Sequence, residues 1–123
     1  MAKTIMIVDD DFVMQQTVQA VLESAGFKVI SENSGEDALE TLKTQKPDLL
    51  LVDMMMPDMD GKELVTRIRA KPSFKDLKII YLTVMHKLAI GKKELEDLRV
   101  SDYINKPFDN KDLIARVKKA VGE

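Results

Sequence analysis

Four kinds of polar side chain stand at the ends of apolar runs in this chain. Asp9, Asp10 and Asp11 follow IMIV, and Asp53 follows LLLV in the stretch LLLVDMMMPDMDG, residues 49–61. Thr83 follows IIYL, and Asn105 leads into Lys106 and Pro107. Singly, each has an ordinary explanation: a strand-end Asp caps a turn or helix, a Thr there is structural, a lone Lys is solvated. Together they are the parts for one kind of chemistry. Clustered carboxylates repel, and that cost calls for a cation. Oxygen-only ligation with few protein ligands suits Mg²⁺, which keeps several waters and takes phosphate oxygens readily. With no cysteine and one histidine, a zinc site does not fit. Lys106 is a fixed second cation, able to bind Asp53 at rest and a phosphoryl oxygen afterwards, while the Thr83 hydroxyl can donate to another oxygen. Asp53, ionised at neutral pH, is a nucleophile that needs no general base, and its product would be an aspartyl phosphate.

The elements that must bring these residues together alternate along the chain. Strands are expected over Ile5–Val8, Lys28–Ile30, Leu49–Val52, Lys78–Leu82 and Asp102–Asn105. Leu49–Val52 is apolar at every position, as a central parallel strand covered on both faces should be. Between the strands lie helices. The first covers Phe12–Ala25, with Val13, Val18, Ala20, Val21 and Leu22 on its apolar side and Gly26 ending it. The second starts at Ser34, with Asp37 at capping-box spacing, and runs to about Lys43. The third covers Lys62–Ala70, capped by Asp60 and stopped by Pro72. A weaker helix spans Lys92–Leu98, and the last runs over Lys111–Val121. Five strands alternating with five helices predict an α/β fold, a doubly wound five-stranded parallel sheet of flavodoxin-like topology. In such folds ligands bind beyond the carboxyl ends of the strands, which is where the acids, the hydroxyl and the amine stand.

Composition narrows the function. At 123 residues the chain suits one domain over residues 1–123, large enough to fold without disulfides or a structural metal. No apolar run approaches a membrane span and the N-terminus does not read as a signal peptide, so the expectation is a soluble cytoplasmic protein. Nineteen basic and 21 acidic side chains give a net charge of −2, without the basic excess of a nucleic-acid binder. Aromatics, at 5%, are few for base stacking.

The chain resembles the receiver domain of two-component response regulators, of the single-domain chemotaxis type, along essentially its whole length. The motifs that carry the resemblance are IVDDD at 7–11, LLLVDMMMPDMDG at 49–61, the Thr of YLTVM at 81–85 and DYINKPF at 102–108. The resemblance implies that Asp53 accepts a phosphoryl group from a histidine kinase or a histidine phosphotransfer protein. It implies Asp9 and Asp10 as the metal-binding acid pair, with Asp53 and the Met55 carbonyl completing the protein ligands to Mg²⁺. Thr83 and Lys106 match the phosphoryl-contacting hydroxyl and amine. Tyr103 matches an aromatic switch that turns inward as Thr83 moves. The bond before Pro107 is typically cis in the family. A phosphorylated receiver would change its face formed by the fourth helix, fifth strand and last helix, and so its affinity for a downstream protein. Such a chain catalyses its own phosphorylation and dephosphorylation but acts as a switch rather than a turnover enzyme. Asp11 is expected near the helix start, and Asp58 and Asp60 as turn and cap residues.

Several residues depart from the family pattern. Val84 stands where a small residue is usual and is expected to crowd the phosphoryl site. Arg99 and Val100 replace a frequent Gly-Ala pair. Met55 and Met85 occupy positions that govern phosphoryl lifetime in the family, and neither can orient water, so self-dephosphorylation should be slow. Met54, Met55, Met56, Met59 and Met85 should fill core and loop, with an adaptable partner surface as the sharper alternative. His86, Lys87, Lys92 and Lys93 are expected on the surface. A phosphatase of the haloacid dehalogenase type would need an Asp where Met55 stands, and DDDFVMQQ lacks a flavin-phosphate loop. A receiver-like interaction module working without phosphorylation is the alternative that Val84 supports.

Overall fold

The structure, a computed structural model, describes residues 2–84 and 91–123. The expectations for Met85, His86 and Lys87 fall outside the described residues. Strands β1 (Thr4–Val8), β2 (Lys28–Glu32), β3 (Leu49–Val52), β4 (Lys78–Thr83) and β5 (Asp102–Asn105) form one sheet in the order β2-β1-β3-β4-β5, parallel throughout. Helices α1 (Phe12–Ser24), α2 (Gly35–Leu42), α3 (Gly61–Arg69), α4 (Lys92–Asp97) and α5 (Asn110–Ala120) alternate with the strands, and a 3₁₀ turn covers Pro72–Phe74. From β1 the chain first builds outward to β2, then crosses back to place β3 on the other side. The loops leaving β1 and β3 therefore part company, and a crevice opens between them at the carboxyl edge.

Alternation along each strand divides the core in two. Ile5, Ile7, Leu49, Leu51, Ile80, Leu82 and Ile104 face one way and bury Val18 and Leu22 of α1 with Leu113 and Val117 of α5. Met6, Val8, Leu50, Val52, Ile79, Tyr81 and Tyr103 face the other way, over α2 and α3, with Leu95 of α4 and Leu98 just past its end packed partly buried against them. Both faces of the central strands are thus covered, which explains why β3 is apolar at every position.

The caps follow the side chains. Asp11 accepts from the Met14 N–H, Ser34 from that of Asp37 and Asp60 from that of Glu63. Three strand boundaries shift outward: β1 begins at Thr4, β2 continues to Glu32 and β4 to Thr83, because pairing with the neighbouring strand carries each beyond its apolar run. The buried side of α1 also differs from expectation. Val13 and Ala20 are exposed, and Gln15 is buried in their stead. Its amide donates to the Glu32 carbonyl at 2.9 Å and the Asn33 side chain at 3.0 Å, so a polar residue is satisfied in the seam between α1 and β2. Among the described residues no helix is long and apolar enough to cross a membrane.

Candidate functional site

Asp9 and Asp53 are each the first residue beyond their strand, and the ladder continues through them. The Asp9 N–H donates to the Glu32 carbonyl at 3.1 Å and the Asp53 N–H to that of Val8 at 3.0 Å. Both are therefore fixed by the sheet rather than by a loop. Asp9 is 2% and Asp53 7% exposed, deep for carboxylates, while Asp10 is exposed. Oxygens of Asp9, Asp10 and Asp53 lie within 4.8 Å of one another.

The loop after β3 is built to hold this corner. The Met55 N–H donates to Asp53 Oδ1 at 3.0 Å, and the Gly61 N–H returns to the Met54 carbonyl at 3.0 Å. A Cβ at position 61 would stand 2.6 Å from the Asp53 carbonyl oxygen, so only glycine allows the start of α3 to close on β3 so tightly. On the other side the Asp11 N–H donates to Asp9 Oδ1 at 2.9 Å, while the Asp11 carboxylate is committed to capping α1.

Lys106 enters from β5, where its N–H donates to the Thr83 carbonyl at 2.9 Å and its bond to Pro107 is cis. Its ammonium lies 2.6 Å from Asp9 Oδ2 and 3.6 Å from Asp53 Oδ2, with only 8% of the side chain exposed. Lys106 thus pairs with Asp53, as expected, and still more closely with Asp9 on the neighbouring strand end. Burial pushes the Asp53 carboxyl above the usual range; the Met55 N–H, Lys106 and a hydrogen bond with Thr83 pull it back only in part, and Asp9 adds to the rise. Three carboxylates against one ammonium leave the corner short of positive charge. That donor set, all oxygen, with two of the three carboxylates buried, fits a hard divalent cation.

Thr83, fully buried, closes β4 beside this corner. Val84, expected to crowd this site, is 63% exposed and lines the mouth of the depression that holds Asp53, with Met55, Met14 and Pro107. Tyr103 lies inward in this structure at 6% exposure, its hydroxyl accepting from the Asn105 amide at 3.3 Å. Met54, Met56 and Met59 are core residues, and Met55 alone of the described rim methionines is open to solvent. Phe12, Val13, Met55 and Val84 are the large apolar side chains left exposed among the described residues, and Met55 and Val84 line the mouth of the crevice. Sequence periodicity assigned Val13 to the core, where the structure does not put it.

A family model for the response regulator receiver domain matches residues 5–118. The chain belongs to that family. Among curated relatives, the receiver is 36% identical over 120 residues to the phosphate regulon transcriptional regulatory protein PhoB of Pseudomonas aeruginosa, covering 94% of this chain and 50% of that protein. The chain spans about half the length of the curated relatives it matches. Among solved structures, the chemotaxis protein CheY4 of Vibrio cholerae superposes with a TM-score of 0.91 at 26% identity, covering 98% of this chain and 99% of that one. The receiver domain of the sensor histidine kinase PA1611 from Pseudomonas aeruginosa superposes with a TM-score of 0.88 at 27% identity over 100% of both chains. That neighbour carries a magnesium ion coordinated in its active-site cleft.

Proposed function

We propose that this receiver is a phosphoacceptor switch in which Asp53 takes a phosphoryl group from the phosphohistidine of a histidine kinase or phosphotransfer protein. The observation that carries the reading is the corner itself: a buried carboxylate fixed at the end of β3, two further acids within 4.8 Å, and an ammonium 3.6 Å away. Asp53 Oδ1 is tethered by the Met55 N–H, which leaves Oδ2, facing Lys106, as the attacking atom. The Oδ2–P bond forms as the P–N bond to the donor imidazole breaks, and the imidazole leaves with the bonding pair. Lys106 then holds a phosphoryl oxygen, and the Thr83 hydroxyl, on β4 next to β3, holds another. Asp9, Asp10, Asp53 and the Met55 carbonyl are the groups that would hold Mg²⁺. When bound, the cation supplies the positive charge that offsets the clustered carboxylates and the phosphoryl oxygens.

The exposed apolar side chains of Met55 and Val84 at this mouth suit a donor protein that must bring its histidine there. Thr83 and Lys106, drawn onto phosphoryl oxygens, would alter β4 and β5 and hence the face of α4, β5 and α5 that a downstream protein reads. Met55 offers no group to orient an attacking water, so the acyl phosphate is long-lived. On this reading the reaction takes place in the cytoplasm.

The test is intact mass after incubation with Mg²⁺ and a small phosphodonor such as acetyl phosphate or phosphoramidate. The expected result is a gain of one phosphoryl group, absent in Asp53→Asn and in EDTA, that decays slowly and faster in Met55→Glu. A gain that persists in Asp53→Asn sinks the assignment.

A further inference from the structure

The face opposite the α1–α5 layer holds two polar atoms that the site does not use. Tyr81 on β4 is fully buried, and its hydroxyl has no hydrogen-bond partner among the described residues. Glu94 on α4 pairs one oxygen, Oε1, with Lys62 at 3.3 Å, while Oε2 is buried with no partner among the described residues. A buried hydroxyl and a buried carboxylate oxygen rarely both go unpaired. Here the two belong together: Glu94 is the charge that acts most strongly on the Tyr81 hydroxyl, whose pKa is raised first by burial and then by that carboxylate. One is a donor and the other an acceptor.

The element carrying Glu94 is lightly held. α4 has six residues, none of them fully buried, and its N-cap, Gly91, offers no side-chain hydrogen bond. Tyr81, in contrast, is locked in the sheet and stands directly beside Tyr103 in the register of β4 with β5, both within the same core. A movement of α4 over Tyr81 is thus felt by the residue that matches the family's switch.

We propose that Tyr81 and Glu94 are the two halves of a buried latch: a short movement of α4 brings Glu94 Oε2 onto the Tyr81 hydroxyl, which donates to it. Exchange between latched and unlatched α4 is then the equilibrium that modification of Asp53 biases. The latch itself stands on the two orphaned atoms, and its coupling to the site rests on the phosphoacceptor reading above.

The chain has two tyrosines, so protein labelled with ¹³C at the tyrosine Cζ gives two signals, and Tyr81→Phe assigns them. The Cζ shift reports whether the hydroxyl donates a hydrogen bond. The latch predicts a Tyr81 signal broadened or split by exchange, collapsing in Glu94→Ala to one sharp line at the unbonded position, with an intermediate shift in Glu94→Gln. A sharp wild-type line that Glu94→Ala leaves in place overturns the latch, and a hydroxyl held by a trapped water would give that result. A second arm adds Mg²⁺ and phosphodonor and reads mass and Tyr81 in the same sample. Coupling predicts at least a threefold change in the bonded-to-unbonded ratio alongside the mass gain. Mass gain with Tyr81 unchanged overturns the coupling. No mass gain counts against the Asp53 reading, while the Glu94→Ala arm still decides the latch.

Discussion

The Asp53 corner and the α4 side of the same sheet are built on opposite principles. At the corner each backbone and carboxylate group that matters has a partner: Asp53 N–H to Val8, Oδ1 to Met55, Gly61 N–H to Met54, Asp60 to Glu63, Lys106 to Asp9. Across the sheet, α4 leaves Glu94 Oε2 and Tyr81 Oη without a partner among the described residues, buries none of its own residues fully and is bracketed by two positive-φ residues, Gly91 and Arg99. Transfer chemistry demands reacting groups held in one geometry. A signalling face demands the reverse, two arrangements separated by little free energy, so that a local event shifts their populations. On the function proposed above, the receiver keeps the two on one sheet, joined through β4 and β5, with the tightly bonded groups on the carboxyl edge and the lightly held ones on the flank.

The contrast is most easily destroyed at Gly61. An alanine Cβ there meets the Asp53 carbonyl oxygen at 2.6 Å and the Met54 Cα at 2.8 Å, both backbone atoms that no rotamer change can move. The loop holding Met55 against Asp53 must then open. Gly61→Ala should cost about 2–3 kcal/mol in urea unfolding and slow phosphorylation at least tenfold, since Oδ1 loses its tether. Full stability with normal phosphorylation would show that the corner is not rigid.

A smaller effect is expected from the charge at that corner. Burial holds the Asp53 carboxyl above its usual range, so the folded chain keeps its proton to higher pH than the unfolded chain does. The stability this contributes is present in full below the ordinary carboxylate range, about pH 3.9, and is lost as pH rises through the folded value. In EDTA, therefore, Asp53→Asn should flatten the pH dependence of the urea midpoint across that window and raise the midpoint above it. The amide still accepts from the Met55 N–H. Added Mg²⁺ should reverse the order, stabilising the parent and not the variant. A variant less stable than the parent in EDTA would mean that Lys106 and the Met55 N–H overcome the burial of the charge.

What could be read from the sequence, and what could not, follows the same divide. β3 announces itself by four apolar residues ending in Asp53, and Ser34 and Asp60 stand where caps are found, because each signal is local. Asp9, Asp10, Thr83 and Lys106 converge because the alternation of strand and helix sets which ends share an edge. The pairing of Lys106 with Asp9 ahead of Asp53 was not legible, since it depends on whether the ammonium ends 2.6 Å from one carboxylate or 3.6 Å from the other at the sheet edge. Nor was Gln15, whose burial is decided by carbonyl and amide groups on the next strand. Arg69 gives no local signal either, yet its guanidinium gathers the carbonyls of Phe74, Leu98 and Arg99 at 2.7–3.1 Å and so holds the turn into β5. Only the folded chain brings those three carbonyls within reach of one side chain.

That turn offers the finest adjustment. Arg99 sits at φ 54, a left-handed conformation that costs a residue with a Cβ about 1–2 kcal/mol. Its guanidinium also lies close enough to that of Arg69 to depress the Arg69 pKa, adding to the effect of burial. Glycine at this position removes both costs and leaves the Arg99 carbonyl, which Arg69 holds through the backbone, where it is. Set against the entropy glycine adds to the unfolded chain, Arg99→Gly should gain about 0.5–1 kcal/mol. Because the gain falls on the slack side, the variant should also stiffen the hinge between α4 and β5: slower amide exchange for Leu98 and Val100, with Asp53 and Met55 unchanged. Protection that rose at Met55 as strongly as at Val100 would mean that corner and flank open as one unit, and the division between them would not hold.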